Sequence, residues 1–435
     1  MSKKVLIISP YFAPSNAADM QRIRMSLPYF KNFGWDAEVV TVDPRYSEMV
    51  KDELLMQSIP GDIKIHQVKA FDKKWTSKLG LGSLALRSLW FYKKAVNRLL
   101  SSNKFDLIYF STTAFPVCIL GSYWKKKFNI PYVIDMQDPW HSEYYRDKPK
   151  DQQPPKYWFS YRLNKYLEPI AMKRVDGLIA VSNKYIIDLK SRYNEIKDIP
   201  SAVIPFGTFS PDMEIALQNQ SRFKNLLDPG YTNIVYIGRG GADMHKAISV
   251  LFDAIKTGMI NEPGIFKTLR LYFIGTSYAP AGTGKETIMP LAKEFGIENN
   301  VIELTDRISF YHSLATIQNA DALFIPGSDD PGYSASKIYP YLLTRKPLIA
   351  IFNQNSNVVN MIKECTSGVN LHAFPDDVAD AKPLYATLRD WGIKLLKPIT
   401  LTDGFGHYNA ENLTRLQCDL FAEAINYFEG RPANR

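Results

Sequence analysis

The chain has 435 residues, with 53 Lys and Arg against 44 Asp and Glu, a formal net charge of +9. Hydrophobic residues at 46% and charged residues at 22% exclude a disordered or fibrous chain and supply apolar material for two sizeable cores. No apolar run reaches the ~18 residues of a spanning helix, and MSKKVLIISPYF is too short for a secretory signal.

Strand-like runs alternate with helical ones along the chain, the pattern of α/β layers with parallel sheets. In the first half, strands are expected at Val5–Ser9, Glu38–Val42, Leu107–Phe110, Tyr132–Asp135, Gly177–Val181 and Ala202–Ile204. After the first strand, Met20, Ile23, Leu27 and Phe30 share one face of an expected helix that Pro28 would kink. The second half repeats the style, with strands at Ile234–Ile237, Leu271–Ile274, Val301–Leu304, Ala322–Ile325 and Leu348–Ile351. Leu413, Leu416, Leu420, Ala424 and Tyr427 mark a last helix. Two domains follow, at residues 1–208 and 209–408, with 409–435 as a terminal helix. The scattered Cys118, Cys365 and Cys418 have no metal-ligand spacing and point to a reducing cytoplasm.

The positive excess is uneven. Residues 73–104 hold eight Lys and Arg and no acid, interleaved with Trp75, Leu81, Trp90 and Phe91. Such a stretch either lies on an anionic membrane surface or packs on its own domain with a solvated basic face. No nucleic-acid recognition module is evident.

Ligands in open α/β sheets bind beyond the carboxyl ends of the strands, so the loops there carry the chemistry. The most informative is NIVYIGRGGADMHKAISVLFDA, residues 233–254. Gly238, Gly240 and Gly241 follow a strand and precede a helix, with Arg239 and Lys246 between. Free amides, a helix dipole and two cations would there hold a phosphate or diphosphate. The alternative is a structural turn with solvated cations. After the first strand, Ser15, Asn16, Ala17 and Ala18 precede a helix that Ser15 or Asn16 would cap. In VIDMQDPWHSEYY, Asp138, Trp140 and His141 combine an acid, a ring that can stack on a sugar, and an imidazole. Ser334 and Ser336 stand just ahead of another helix, with Lys337 in its first turn, and this end serves either an anion or hydroxyls or is a plain serine cap. APAGTGKET, residues 279–287, imitates a P-loop but fails at Ala279 and Glu286.

The order of YFAPSNAADMQRIR, IDMQDPW, VDGLIAVS, VIPFGTFSPD, VYIGRGGADMHK, LYFIGT, NADALFIPGS and SASKIYPYLLTRKPLIA resembles the retaining GT-B glycosyltransferases of family 4 over nearly the whole chain. The resemblance implies two Rossmann-like domains facing a cleft, with the last helix crossing back to the first domain. A nucleotide-diphosphate sugar would bind the second domain, and a glycan or lipid-linked acceptor the first. Arg239 and Lys246 match the cationic pair that neutralises the donor diphosphate, and Asp138 an aspartate of the first domain. Gly275, Ser334, Ser336 and Lys337 fall on the donor side, and Ser15, Asn16, Ala17, Trp140 and His141 on the acceptor side. The resemblance implies a retaining transfer in surface polysaccharide synthesis, with no metal and no cofactor. The protein would be cytoplasmic, peripheral on the inner face of the membrane. Two family glutamates are missing, since their places fall on Gly332 and Pro340. That departure leaves two alternatives open: an inactive binding subunit, or a nucleotide-sugar epimerase of the same fold.

Overall fold

The computed structural model describes residues 2–143, 146, 150, 153, 157–330, 333, 335–374 and 382–430. They form two compact units: Met1–Phe206 with Ala410–Arg435, and Gly207–Asn409. Both are built on a parallel sheet.

The first unit contains β1 (Lys3–Ile8), β2 (Trp35–Val42), β3 (Lys64–Val68), β4 (Leu107–Ser111), β5 (Tyr132–Met136), β6 (Gly177–Ala180) and β7 (Ser201–Val203). Their order is β3-β2-β1-β4-β5-β6-β7, so chain direction across the sheet reverses between β1 and β4. Val5–Ile8 and Leu107–Phe110 are fully buried, as expected for central strands covered on both faces. The expected helix after β1 is broken instead. A 3-10 turn at Ala18–Met20 leads into a short helix at Gln21–Ser26, and a second 3-10 turn covers Phe30–Phe33. Pro28 has no amide to donate, so helical bonding stops there. Met20, Ile23, Leu27 and Phe30 are nonetheless all buried.

Helix Ala410–Glu429 completes this unit. Phe421 packs against Trp35 and Tyr109 at ring distances of 5.3 and 4.8 Å. Below them lies a buried polar web. Arg22 Nε sits 2.7 Å from Asp135 Oδ2, with the two side chains 3% and 0% exposed. Ser111 and Gln137 donate to the same carboxylate oxygen, and Gln417 of the last helix donates to Ser26. Removing either ionic partner would strand a buried charge, at about 3–5 kcal/mol.

The second unit contains β8 (Thr232–Ile237), β9 (Leu269–Ile274), β10 (Val301–Leu304), β11 (Ala322–Pro326), β12 (Leu348–Asn353), β13 (Thr366–Ser367), β14 (Asn370–Phe374) and β15 (Thr400–Leu401). The main sheet runs β10-β9-β8-β11-β12-β14, and β13 pairs with β15 as a small antiparallel ribbon. Here the reversal falls between β8 and β11. Helix His245–Asn261 follows β8 and buries Ile248, Leu251, Phe252 and Ile255 on the sheet. In that helix Gly258 lies flat against the fully buried Phe266 ring, and an added Cβ would overlap it.

Gly258→Ala therefore sets a helix-propensity gain of about 0.5–1 kcal/mol against overpacking of about 1–3 kcal/mol. Overpacking should win. A lower midpoint of thermal unfolding is expected, and a raised midpoint would show that Phe266 relaxes freely.

Candidate active site

The turn after β8 and the loop after β11 are neighbours because their strands pair at the reversal point of the second sheet. Hydrogen bonds stitch the two together. Asp329 N donates to Asp243 O at 2.9 Å, and Ser328 Oγ to Asp243 Oδ2 at 2.7 Å. Tyr341 Oη accepts from Ile237 N at 2.8 Å, and Tyr236 Oη donates to Arg239 O at 3.0 Å.

Gly238 has no room for a side chain. A Cβ there would overlap the Tyr236 hydroxyl and stand 2.7 Å from Lys337 Nζ. The Lys337 ammonium thus lies directly over the glycine turn. The residue as a whole is open to solvent, yet its ammonium is hemmed in by protein. That crowding, then the charges of Arg307 and Arg239, push it down to about 8. Three cations therefore share one small region: Lys337 from the β11 loop, Arg239 from the β8 turn and Arg307 from beyond β10.

Arg307 was not anticipated from the sequence. It follows β10 in a segment with no glycine or helical signature, and only the packing of β10 beside β9 brings it here. Its backbone backs Gly275, which adopts φ +74° and whose added Cβ would meet Arg307 Cα at 3.6 Å.

Several expectations need correction. Arg239 is not held ready for a ligand by itself. Its two terminal nitrogens pair with both oxygens of Asp243 at 2.6 Å, and its guanidinium lies 5.1 Å from the Tyr333 ring centre. The hydrogen bonds to Asp243 hold the Arg239 pKa up, and those from Arg239 hold the Asp243 carboxyl down. The turn's amides are not all free either. Gly238 N and Gly240 N donate to Ile274 O and Thr276 O of the β9 end, both at 2.9 Å. Lys246 is exposed in the first turn of helix His245–Asn261. Ser336 is exposed and caps nothing, because helix Ile338–Leu343 starts at an N-cap Lys337 with no side-chain bond. Ser334 and Gly332 lie outside the described residues. Pro340 is the third residue of that short helix.

In the first unit the loop after β1 lies against the loop after β4. Ser15 and Ala17 are buried, Asn16 N donates to Val50 O, and neither Ser15 nor Asn16 caps the following turn. What holds the loop is Asp19, a residue the sequence did not single out. Its carboxylate accepts from Thr112 Oγ1 at 2.8 Å and from Thr113 N at 2.9 Å. Burial raises the Asp19 pKa despite these bonds. Asp138 is exposed just past β5, and its own pKa is raised by crowding and then by Asp19.

Trp140 and His141 are corrected as well. Trp140 is 5% exposed, stacks on Phe115 at 5.4 Å and donates from Nε1 to Asn164. It is a core residue and has no face left for a sugar. His141 is also buried, and burial lowers its pKa, so it is neutral at pH 7. Among the described residues, no group of three or more His, Cys, Asp or Glu is placed to hold a metal ion.

Residues 34–208 match the family model described as Glycosyltransferase Family 4. The lipopolysaccharide outer core galactosyltransferase WaaB, in its apo form, superposes with a TM-score of 0.51 at 16% identity, over 97% of this chain and 99% of that one. The N-terminal domain of Candida albicans trehalose-6-phosphate phosphatase superposes with a TM-score of 0.59 at 14% identity, over 97% of each chain. A curated relative, the HTH-type transcriptional repressor PurR of Mannheimia succiniciproducens, is 28% identical over 81 residues, 18% of this chain. The chain spans about a quarter of that repressor's length, 24%.

The pairing of Arg239 with Asp243 has a measurable consequence for anions. Asp243→Asn keeps a hydrogen-bonding partner for Arg239 but removes a negative charge from the cation cluster. At an effective dielectric near 40 and a separation near 6 Å that charge is worth about 1.4 kcal/mol, or roughly tenfold. Calorimetric titration with pyrophosphate should therefore show tighter binding by about three- to tenfold. Weaker binding would mean that Asp243 serves the site by aligning Arg239.

Proposed function

We propose that this chain, a glycosyltransferase by its Glycosyltransferase Family 4 match over residues 34–208 and its two Rossmann-like sheets of GT-B type, moves a sugar from a nucleotide-diphosphate donor to a glycan or lipid-linked acceptor in surface polysaccharide synthesis. The observation that carries this reading is the gathering of Lys337, Arg239 and Arg307 over the Gly238 turn at the reversal point of the second sheet.

The chemistry follows from charge. Breaking the bond between sugar and diphosphate develops negative charge on the leaving phosphate. Lys337, Arg307 and Lys246, with the amino-terminal end of helix His245–Asn261, stabilise that charge without reorganising. Arg239 joins them by exchanging part of its Asp243 contact for phosphate oxygens. These groups do the work for which other sites use a metal ion. We take transfer to be retaining, with the departing diphosphate helping to deprotonate the acceptor hydroxyl. The acceptor is assigned to the first unit, where Asp138 and the Ser15–Ala17 loop lie beyond the strand ends. The basic stretch at residues 73–104 is assigned to an anionic membrane surface on the cytoplasmic side.

The ribose contact is the weak point of the donor site, because Pro340 stands where a carboxylate would serve. Asp329 and Asp330, both exposed beside Ser328, are the replacements we assign. A lost ribose hydrogen bond costs about 0.5–1.5 kcal/mol, at most roughly tenfold in affinity. The Arg239–Asp243 pair favours a second reading, a binding subunit that holds nucleotide without turnover. Slow hydrolysis of a bound nucleotide sugar separates the two, since only the enzyme gives it.

Lys337→Ala should lower turnover by roughly a hundredfold, if the ammonium stabilises the leaving group by ~2.7 kcal/mol. Lys337→Arg should keep much of it. The pH dependence has a defined sign. Below about 8 the free Lys337 is charged, and above it the charge is lost. Affinity for UDP should therefore fall as pH rises through that value, and the fall should vanish in Lys337→Arg. Unchanged turnover in Lys337→Ala, with unchanged UDP affinity, would remove the diphosphate from this site.

A further inference from the structure

The strand pair that carries the cation cluster at one end opens onto a cavity at the other. β8 and β11 start side by side, with Ile234 opposite Ala322. At their amino ends lies an open cleft of about 840 Å³, within the range of small-molecule sites. One wall is helix Phe310–Asn319. The other is the run that leaves helix Ser210–Gln218, passes the 3-10 turn Gln220–Arg222 and reaches β8. Lys394, past helix Lys382–Gly392, also lines it. The cleft shares no residue with the glycine turn after β8 or with the loop after β11.

Its lining is polar rather than ionic. Gln218, Gln220, Asn225 and Asn319 present amides, which both donate and accept. Asp321 and Asn233 bring the only partly satisfied groups. Asp321 Oδ2 accepts from Asn233 N at 2.8 Å and from Asn233 Nδ2 at 3.2 Å. Among the described residues, Asp321 Oδ1 accepts no hydrogen bond. Asn233 is 5% exposed, and its Oδ1 has no partner either. An unmet buried acceptor is costly, and a ligand that brings O–H donors offsets that cost. Flat rings stand beside these groups. Phe223 stacks on His312 at 5.2 Å with the planes 7° apart, and Tyr231 carries the Arg270 guanidinium on its ring at 3.8 Å.

We propose that this cleft is a second carbohydrate site, which holds a neutral oligosaccharide by its hydroxyls. The chemistry selects the class. The Asp321 carboxylate and the unmet Asn233 carbonyl repel an anion, while Lys224 and Lys394 at the rim oppose a cation. An apolar ligand would desolvate four amides and pair none of them. A sugar supplies donors to Asp321, both donors and acceptors to the amides, and the C–H face of a ring to Phe223 or Tyr231. The site goes beyond the function proposed above and stands without it, since it lies at the opposite strand ends from the diphosphate.

Calorimetric titration of the full chain tests it, with maltotetraose, cellotetraose and chitotetraose as probes. Inorganic phosphate, spermidine and adenosine are the controls. At least one tetrasaccharide should bind at a dissociation constant of about 1 mM or tighter, and at least about tenfold more tightly than every control. Ser221→Trp fills the cleft from the exposed 3-10 turn, and Asn319→Ala removes an amide from the opposite wall, so failure of one variant to fold leaves the other. The first should weaken the saccharide by about tenfold or more and the second by about threefold, with UDP affinity unchanged in both. Absence of binding by all three saccharides would overturn the proposal. So would undiminished saccharide binding in both variants, which would put the sugar elsewhere on the chain. A control that binds as tightly as the best saccharide, and weakens in the same variants, would overturn the assignment of class. Saccharide binding without UDP binding would leave this cleft standing and remove the donor site.

Discussion

The second unit depends on three positive charges gathered at one glycine turn. Lys337, Arg239 and Arg307 crowd one glycine turn, and the carboxylate bonded among them, Asp243, is already committed to Arg239. Crowding lowers Lys337 because desolvation and two neighbouring guanidiniums disfavour its charged form. An anion entering the turn would offset that penalty. The strain is maintained by packing: β8 and β11 pair in parallel, Tyr341 and Ser328 tie their loops, and Gly238 has no side chain to keep Lys337 away.

The first unit solves the opposite problem. At its reversal point two buried carboxylates, Asp19 and Asp135, are held by neighbouring side chains. Asp19 is bonded by two threonines, and Asp135 is paired with Arg22 in a web that reaches Gln417 through Tyr109. Those contacts make a rigid floor beneath the loops after β1 and β4. On the function proposed above, the same topology, used twice, separates anion binding from acceptor binding through the residues at its strand ends.

Much of the fold is legible in the sequence, because central parallel strands are continuous apolar runs and helices follow at 3.6-residue spacing. Strands β3 and β14 escaped notice. KIHQV and NLHAF are half-polar because edge strands are only half covered, so no apolar run marks them. The site was legible only in part. The glycine turn after β8 advertises itself by composition, whereas Arg307 owes its place to β10 lying beside β9. The Arg239–Asp243 pair has the four-residue spacing of a local ion pair and was open to sequence reasoning. Trp140 and His141 show the reverse error. A local stretch of polar and aromatic residues does not reveal that Phe115 and Glu168, from other elements, bury them.

The central claim concerns one proton on one ammonium, and nuclear magnetic resonance of isotope-labelled lysine reads it directly. Titrating the Lys337 side chain in the free protein should give a midpoint near 8, about as the crowding dictates. With UDP saturating, the midpoint should move above that of an ordinary lysine, near ~10.4. A midpoint indifferent to UDP would contradict the account, since the anion would then be bound elsewhere or not at all.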